Sequence, residues 1–235
     1  GDELIVVANK AGDGSAEVVR DLAPAARVVE MGRNSGFAGG INAGAEVARG
    51  DLLVFLNPDA VPQPGFGEAI RRPWREGRGW SAWQALVADG AGERINSAGN
   101  PVHFTGIVWA GGHGRPLSDA PSPREVAALS GACLAIPSET WRRVGGFPPE
   151  FFMYHEDVEL SLRVRLHGGR VGIVPAAVVD HAYEFAKGPD KWRRLERNRW
   201  AFLIRVYPAS LLALLMPALI LTELALIPAS IAAGW

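Results

Sequence analysis

The chain has 235 residues, 48% of them hydrophobic, and its 24 Lys and Arg against 25 Asp and Glu leave a formal net charge of −1. That length supports one large domain with a real core plus an appendage, and the balanced charge excludes a global basic face for nucleic acid. A single cysteine, Cys133, excludes an internal disulfide and fits a reducing compartment; its apolar run 129–136 makes it a buried thiol rather than a nucleophile.

The chain starts at Gly1, and residues 4–7 (Leu-Ile-Val-Val) read at once as a buried strand. No charged n-region or apolar h-region of a signal peptide precedes it. A domain seldom begins inside a buried sheet, so further residues are expected before Gly1. Asp13-Gly14-Ser15 is a turn in which Ser15 or Asp13 caps a helix running to Arg20. Residues 27–31 form a second strand. The glycine-rich turn 35–40 leads into a helix over 41–48, and Gly50-Asp51 punctuates before a strand over 52–56. This alternation predicts a parallel α/β sheet whose Val/Ile/Leu runs are buried on both faces. Ligands in such sheets sit beyond the carboxyl ends of strands, where Asn9, Asn34 and Asn57-Pro58-Asp59 fall.

Residues 72–128 are rich in Gly, Pro and Trp and read as an irregular insertion with strands at 82–87 and 106–110. Trp74, Trp80, Trp83 and Trp109 lie there, with faces able to stack on sugars, although core packing is the default for any one of them. Regular structure resumes over 128–136, followed by a helix near 138–144 and a helix over 158–166. Strands at 171–174 and 177–179 follow. The last part is apolar from 209 to 233, with Glu223 as its one charged side chain. Twenty-five helical residues at about 1.5 Å each cover a hydrocarbon core of roughly 30 Å. Lys187, Lys191, Arg193, Arg194, Arg197, Arg199 and Arg205 precede it, opposed by Asp190 and Glu196, which places the globular part on the cytoplasmic face of a cell membrane. Pro217 and Pro228 divide the run, so a re-entrant hairpin stays open beside a span.

Several groups carry possible chemistry. The turn 36–44 has no Lys-Ser/Thr and is not a P-loop; a tight strand-to-helix turn is as good a reading as phosphate contact. Asp59 follows a buried strand, a position suited to a divalent cation, while Asn-Pro-Asp alone reads as an ordinary turn. His155-Glu156-Asp157 opens a helix, where acidic residues favour the dipole; Glu156 and Asp157 diverge by about 100° and cannot share a face. His181 stands at a strand end.

Together these segments resemble the family 2 glycosyltransferases, in particular the bacterial rhamnosyltransferase-like branch. The carrying residues are Asn34-Ser35-Gly36-Phe37-Ala38-Gly39-Gly40-Ile41-Asn42-Ala43-Gly44, Gly50 through Asp59, Gly131-Ala132-Cys133, Gly145-Gly146-Phe147, and Phe151 through Leu160, in order across 4–205. The resemblance implies a GT-A fold, a mixed and mainly parallel sheet flanked by helices. It also implies a nucleotide-diphospho-sugar donor, a lipid-linked or polysaccharide acceptor, Mg²⁺ or Mn²⁺, and an inverting displacement. On that likeness Asp157 is the base with Glu156 beside it, and Asp59 and His181 serve the metal. Asn9, Asp13, Asn34, Gly36, Asn42, Asn57 and Gly131 then line the nucleotide-sugar site. The implied organisation is a catalytic domain over 1–186 lacking its first strand, a basic segment over 187–207 and a membrane-associated segment over 208–235. The family's base-contacting Asp is Ala8 here, and its Phe-Asp-Glu is Phe147-Pro148-Pro149. Ala8 and the missing first strand favour, as the alternative, a non-catalytic relic that binds nucleotide-sugar or glycan.

Overall fold

The computed structural model describes residues 2–10, 12–183 and 188–233. Its elements run β1 (Ile5–Ala8), α1 (Ser15–Leu22), β2 (Arg27–Glu30), α2 (Gly36–Val47), β3 (Leu52–Leu56), β4 (Ala60–Pro62), α3 (Phe66–Arg75) and β5 (Ala82–Ala88). There follow β6 (Ile95–Ser97), β7 (Arg124–Glu125), β8 (Cys133–Pro137), α4 (Ser138–Val144), α5 (Glu156–Leu166), β9 (Val171–His181), α6 (Pro189–Val206) and α7 (Ala209–Ala233).

The fold is mixed α/β. β1 pairs with β2 in parallel, and a second sheet runs β3-β8-β5-β9-β4, with β6 beside β5 and β7 beside β9. The parallel pairing expected from alternation recurs between β5 and β9, the longest in the sheet, while the other pairs are antiparallel. Side chains alternate between two apolar layers, as the period of a strand requires. Leu53, Phe55, Leu86, Leu134, Ile136 and Ile173 pack with Trp141 of α4 and Leu160 of α5. Trp83, Ala85, Val87, Cys133, Ala135 and Val179 pack on the other face with Ile70 of α3. Burial pushes the Cys133 thiol up to about 12, so it is an inert core residue.

Three local readings change. Residues 36–40 are already helical, because the Asn34 carboxamide oxygen accepts the Gly36 N–H at 2.9 Å and so starts α2 early. Residues 106–110 form no strand: Gly106 has φ +82° and its N–H closes a turn on His103 O, leaving one isolated bridge between Val102 and Val108. The two short strands at 171–179 are one strand; the register with β5 jumps from Ala85↔Val174 to Leu86↔Val178. Pro175 in the skipped stretch has no N–H to give a ladder. Trp83 is fully buried in the central strand β5, so of the four tryptophans read as possible sugar platforms it is core.

The C-terminal helices form a hairpin. Glu223 of α7 reaches Arg199 and, at 3.0 Å, the Trp200 indole N–H of α6. Leu219 is buried with Phe202 and Leu203, and Leu212 and Leu215 pack toward Val206 and Tyr207. α7 therefore folds back along α6. Its residues Ala209–Ala232 make one helix long and apolar enough to cross a membrane, with Leu214, Leu221, Leu224 and Ile231 exposed. Lys187 of the basic segment lies outside the described residues.

The buried Trp83 indole N–H donates to Ile70 O at 2.7 Å, tying α3 to the sheet in the turn before Pro73. Trp83→Phe removes that bond and is expected to lower stability by about 0.5–1.5 kcal/mol, read as a lower urea midpoint at unchanged slope.

Candidate active site

Two acidic motifs meet at one backbone junction. Beyond β3 the chain turns sharply, Ala60 N–H bonding to Asn57 O at 3.0 Å with Pro58 at the second position. Asn57 and Asp59 thus share a turn, and both approach His181. The His181 Nε2 lies 3.0 Å from Asp59 Oδ1 and 3.5 Å from Asn57 Nδ2. His181 is 4% exposed at the end of β9, whereas the Asp59 side chain is 54% exposed and open to a ligand.

The Asn57 N–H donates to Ala132 O at 3.0 Å. One residue earlier, the Gly131 N–H donates to Asp157 Oδ2 at 2.7 Å. Asp157 Oδ1 accepts the Val158 N–H at 2.8 Å, at the start of α5. Glu156 diverges from it as helical geometry requires and is buried, its Oε2 lacking a partner among the described residues. Burial, then the Asp157 charge, drives the Glu156 carboxyl well above its usual range. Burial also raises Asp157, against the lowering effect of the Gly131 and Val158 N–H groups. The third carboxylate of the motif is structural: Glu159 is 1% exposed and held by Arg163 and by Arg205 of α6.

The glycine-rich turn lies beside this pair. Asn9, after β1, donates to Gly36 O at 2.6 Å and accepts from Ser35 N–H and Oγ–H at 3.0 and 2.8 Å. Asn9 and Asn34 therefore shape the turn with their side chains. Gly36 has φ +73°, and a Cβ there would stand 2.3 Å from Phe152 O, so only glycine fits. Asp13 is exposed, and its Oδ1 accepts the Ser15 N–H and hydroxyl at 3.0 and 2.6 Å at the start of α1, which hold its carboxyl low. Asn42 sits elsewhere. Its amide spends both ends on Phe147, donating to the carbonyl at 2.8 Å and accepting from the N–H at 3.0 Å. It lines a cavity of about 360 Å³ with Leu53 and Ser138, at the start of β3 rather than its end.

Tyr183 was not singled out by sequence. Burial, then Tyr154 beside it and the charges of Asp157 and Asp59, raises its phenol, so it lies within electrostatic reach of both acidic motifs. Its place two residues after His181 was the available signal.

The chemistry at the β3 end suits a divalent cation. Asp59 offers a carboxylate, His181 an imidazole, and Asn57 Oδ1 is a buried oxygen with no partner among the described residues. That mixed O/N set fits Mn²⁺ better than Mg²⁺, which favours oxygen. No cluster of three His, Cys, Asp or Glu occurs among the described residues, so a cation held here would need ligands from outside this set.

The folded state binds a proton at Glu156 that the unfolded chain releases, so this residue costs stability as pH rises from the unfolded carboxylate range toward its raised folded value. Glu156→Gln is expected to melt higher than the parent near about pH 8, with the gain vanishing by about pH 4, measured by calorimetry across pH.

Comparison with known proteins adds ancestry to this geometry. The profile described as Glycosyl transferase family 2 matches residues 1–106, and that described as Glycosyl transferase family group 2 matches residues 58–233. The chain is 27% identical over 213 residues to N-acetylglucosaminyl-diphospho-decaprenol L-rhamnosyltransferase of Mycobacterium tuberculosis, covering 80% of this chain and 68% of that protein. It is 30% identical over 139 residues to O-antigen biosynthesis protein RfbC of Myxococcus xanthus, covering 55% of this chain and 11% of the relative. Among solved structures, the mannosyltransferase PcManGT from Pyrobaculum calidifontis, in complex with GDP-Man and Mn²⁺, superposes with a TM-score of 0.58 at 20% identity, covering 99% of this chain and 67% of that one. GalNAc-T7 with UDP, GalNAc and Mn²⁺ gives a TM-score of 0.61 at 17% identity, covering 77% of this chain and 38% of that one.

Proposed function

Because this chain belongs to the family 2 glycosyltransferases and has their GT-A fold, we propose that it transfers a sugar with inversion from a nucleotide-diphosphate donor to a lipid-linked glycan, with Asp157 as base. The observation that carries the reading is the Gly131–Ala132 junction, which joins Asp157 on one side to the Asn57-Asp59-His181 group on the other. One end suits a leaving diphosphate and the other suits an attacking hydroxyl. The mycobacterial relative supports rhamnose as the sugar and a polyprenyl-diphosphate glycan of cell-wall assembly as the acceptor.

In the proposed reaction, Asp157 takes the proton of the acceptor hydroxyl as that oxygen attacks the anomeric carbon. The bond from that carbon to the diphosphate oxygen breaks, and the nucleoside diphosphate departs with the electron pair. The Gly131 and Val158 N–H groups orient the Asp157 carboxylate. Asp59 and His181, with Asn57, would hold Mn²⁺ or Mg²⁺, which offsets negative charge on the diphosphate. Asn9, Asn34 and Gly36 set the turn whose backbone approaches the donor, while Asp13 stands exposed at the same edge. Holding donor and acceptor in line contributes as much as any single group. The basic α6 and apolar α7 support attachment to the cytoplasmic face of the membrane.

Asp157→Asn is expected to lower turnover by about 10²–10⁴-fold while keeping Mn²⁺-dependent donor binding; unchanged turnover with a nucleotide-sugar panel would reject the base. Since Asp157 works ionised and burial raises it, the parent's activity should climb with pH through an acid limb above the ordinary carboxylate range. Asp59→Ala is expected to remove the stabilisation by Mn²⁺ and nucleoside diphosphate, which at a hundredfold excess over Kd is about 2.7 kcal/mol. A thermal melt with and without Mn²⁺ reads it, and a full shift in the variant would reject the metal assignment.

A further inference from the structure

The segment leading into the base follows a path that side chains rarely adopt. Phe152, Tyr154 and His155 have φ of +63°, +73° and +66°, and they are the non-glycine residues with positive φ among those described. Phe152, with ψ −63°, centres a γ-turn closed by the Met153 N–H on Phe151 O at 2.7 Å, the rare and strained hand of that turn. Such strain persists only where the surroundings over-determine it.

α6 supplies the determinant. Asn198 is 1% exposed, and the two N–H bonds of its Nδ2 are shared among Phe151 O, Met153 O and Tyr154 O at 2.9, 2.8 and 2.7 Å. Its Oδ1 accepts from Arg197 Nε at 2.9 Å, which fixes the amide with its NH₂ toward the loop. The reversed amide would aim an oxygen at three carbonyl oxygens. Arg197 Nη2 adds bonds to Glu150 O and Phe151 O at 2.9 and 3.0 Å, and Ala38 N–H takes Phe152 O at 3.0 Å. Each carbonyl from Glu150 to Tyr154 thus has a donor, and Asn198 serves three of the five.

We propose that Asn198 is a positioning residue for the base: its carboxamide holds the left-handed loop on the path that delivers the Asp157 carboxylate to the Gly131 N–H and to the reacting hydroxyl. This rests on the reading of Asp157 as base. Asn198 lies 41 positions after Asp157 in the chain, and acts through the backbone of residues 151–154. Its loss lets the loop relax toward ordinary φ values, which turns the start of α5 and moves the carboxylate. The two N–H groups that hold the Asp157 carboxyl down are then imperfectly aligned.

The test compares Asn198→Ala and the milder Arg197→Met with the parent in the full chain, measuring kcat, donor KM and the pH profile. Asn198→Ala should lower kcat about 10²-fold, the cost of a displacement near 1 Å, at unchanged donor KM, with the acid limb of kcat/KM moved to higher pH. Arg197→Met should move both quantities in the same directions by less. A scaffold residue alone would lower the melting temperature and leave kcat per folded molecule and the acid limb in place; that result in either variant overturns the proposal. If Asn198→Ala does not fold, Arg197→Met decides. Asp157→Asn that retains turnover would reject the base reading itself. An inactive Asp157→Asn beside unchanged kcat and acid limb in the α6 variants would reject the positioning role alone.

Discussion

Two adjacent peptide groups, Gly131 and Ala132, hold the two acidic motifs beside one another. The N–H of one takes Asp157, and the carbonyl of the other takes the backbone of Asn57. These residues enter β8, whose pairing with β3 runs from Leu52↔Pro137 to Leu56↔Cys133. The register of that pair therefore sets how far the Asn57-Asp59 turn stands from Asp157. A slip by one residue would carry both motifs out of line and turn every core side chain of the strand to the wrong face. The two apolar layers that bury Leu53, Phe55, Leu134 and Ile136 on one side and Cys133 and Ala135 on the other are what forbid that slip.

The acidic groups themselves sit where ionisation is hard. Glu156 and Asp157 are both raised by burial, and they adjoin one another at a helix start. The helix offsets part of this: α5 has Glu156, Asp157 and Glu159 in its first turn and Arg163 and Arg165 in its last, a distribution that matches its dipole. Glu159 is held by Arg163 and by Arg205, which ties α5 to α6. Asp157 is a carboxylate held by backbone donors rather than by a side-chain cation, and so still able to accept a proton.

The parts of the fold that depend on local pattern were legible in the sequence. The strand at 52–56 and the helix at 138–144 have the bounds expected from an apolar run ended by Asn-Pro and from a run between Pro137 and Gly145. The acidic motifs were readable by order and likeness, since Asn-Pro-Asp alone is a turn and does form one. What could not be read depends on distant partners. Asn42 carries no mark that Phe147, 105 positions away, uses both its polar ends. Asn198 in a charged helix looks like part of a solvated face, yet it is buried against the carbonyls of residues 151–154. The apolar tail gave its length and composition, but its return along α6 rests on Glu223 meeting Arg199 and Trp200, a pairing that no periodicity encodes.

The contact between Gly36 and Phe152 bears on how such enzymes diversify. A Cβ at position 36 would strike the Phe152 carbonyl and ring at once, at 2.3–2.6 Å. The early half of the chain and the loop before α5 are thus keyed to one another at a point with no slack. Chimaeras that import a new first half from a relative must bring a glycine at this position or replace the Phe152 loop in the same step. Recombination between these two segments is constrained by one missing methyl group.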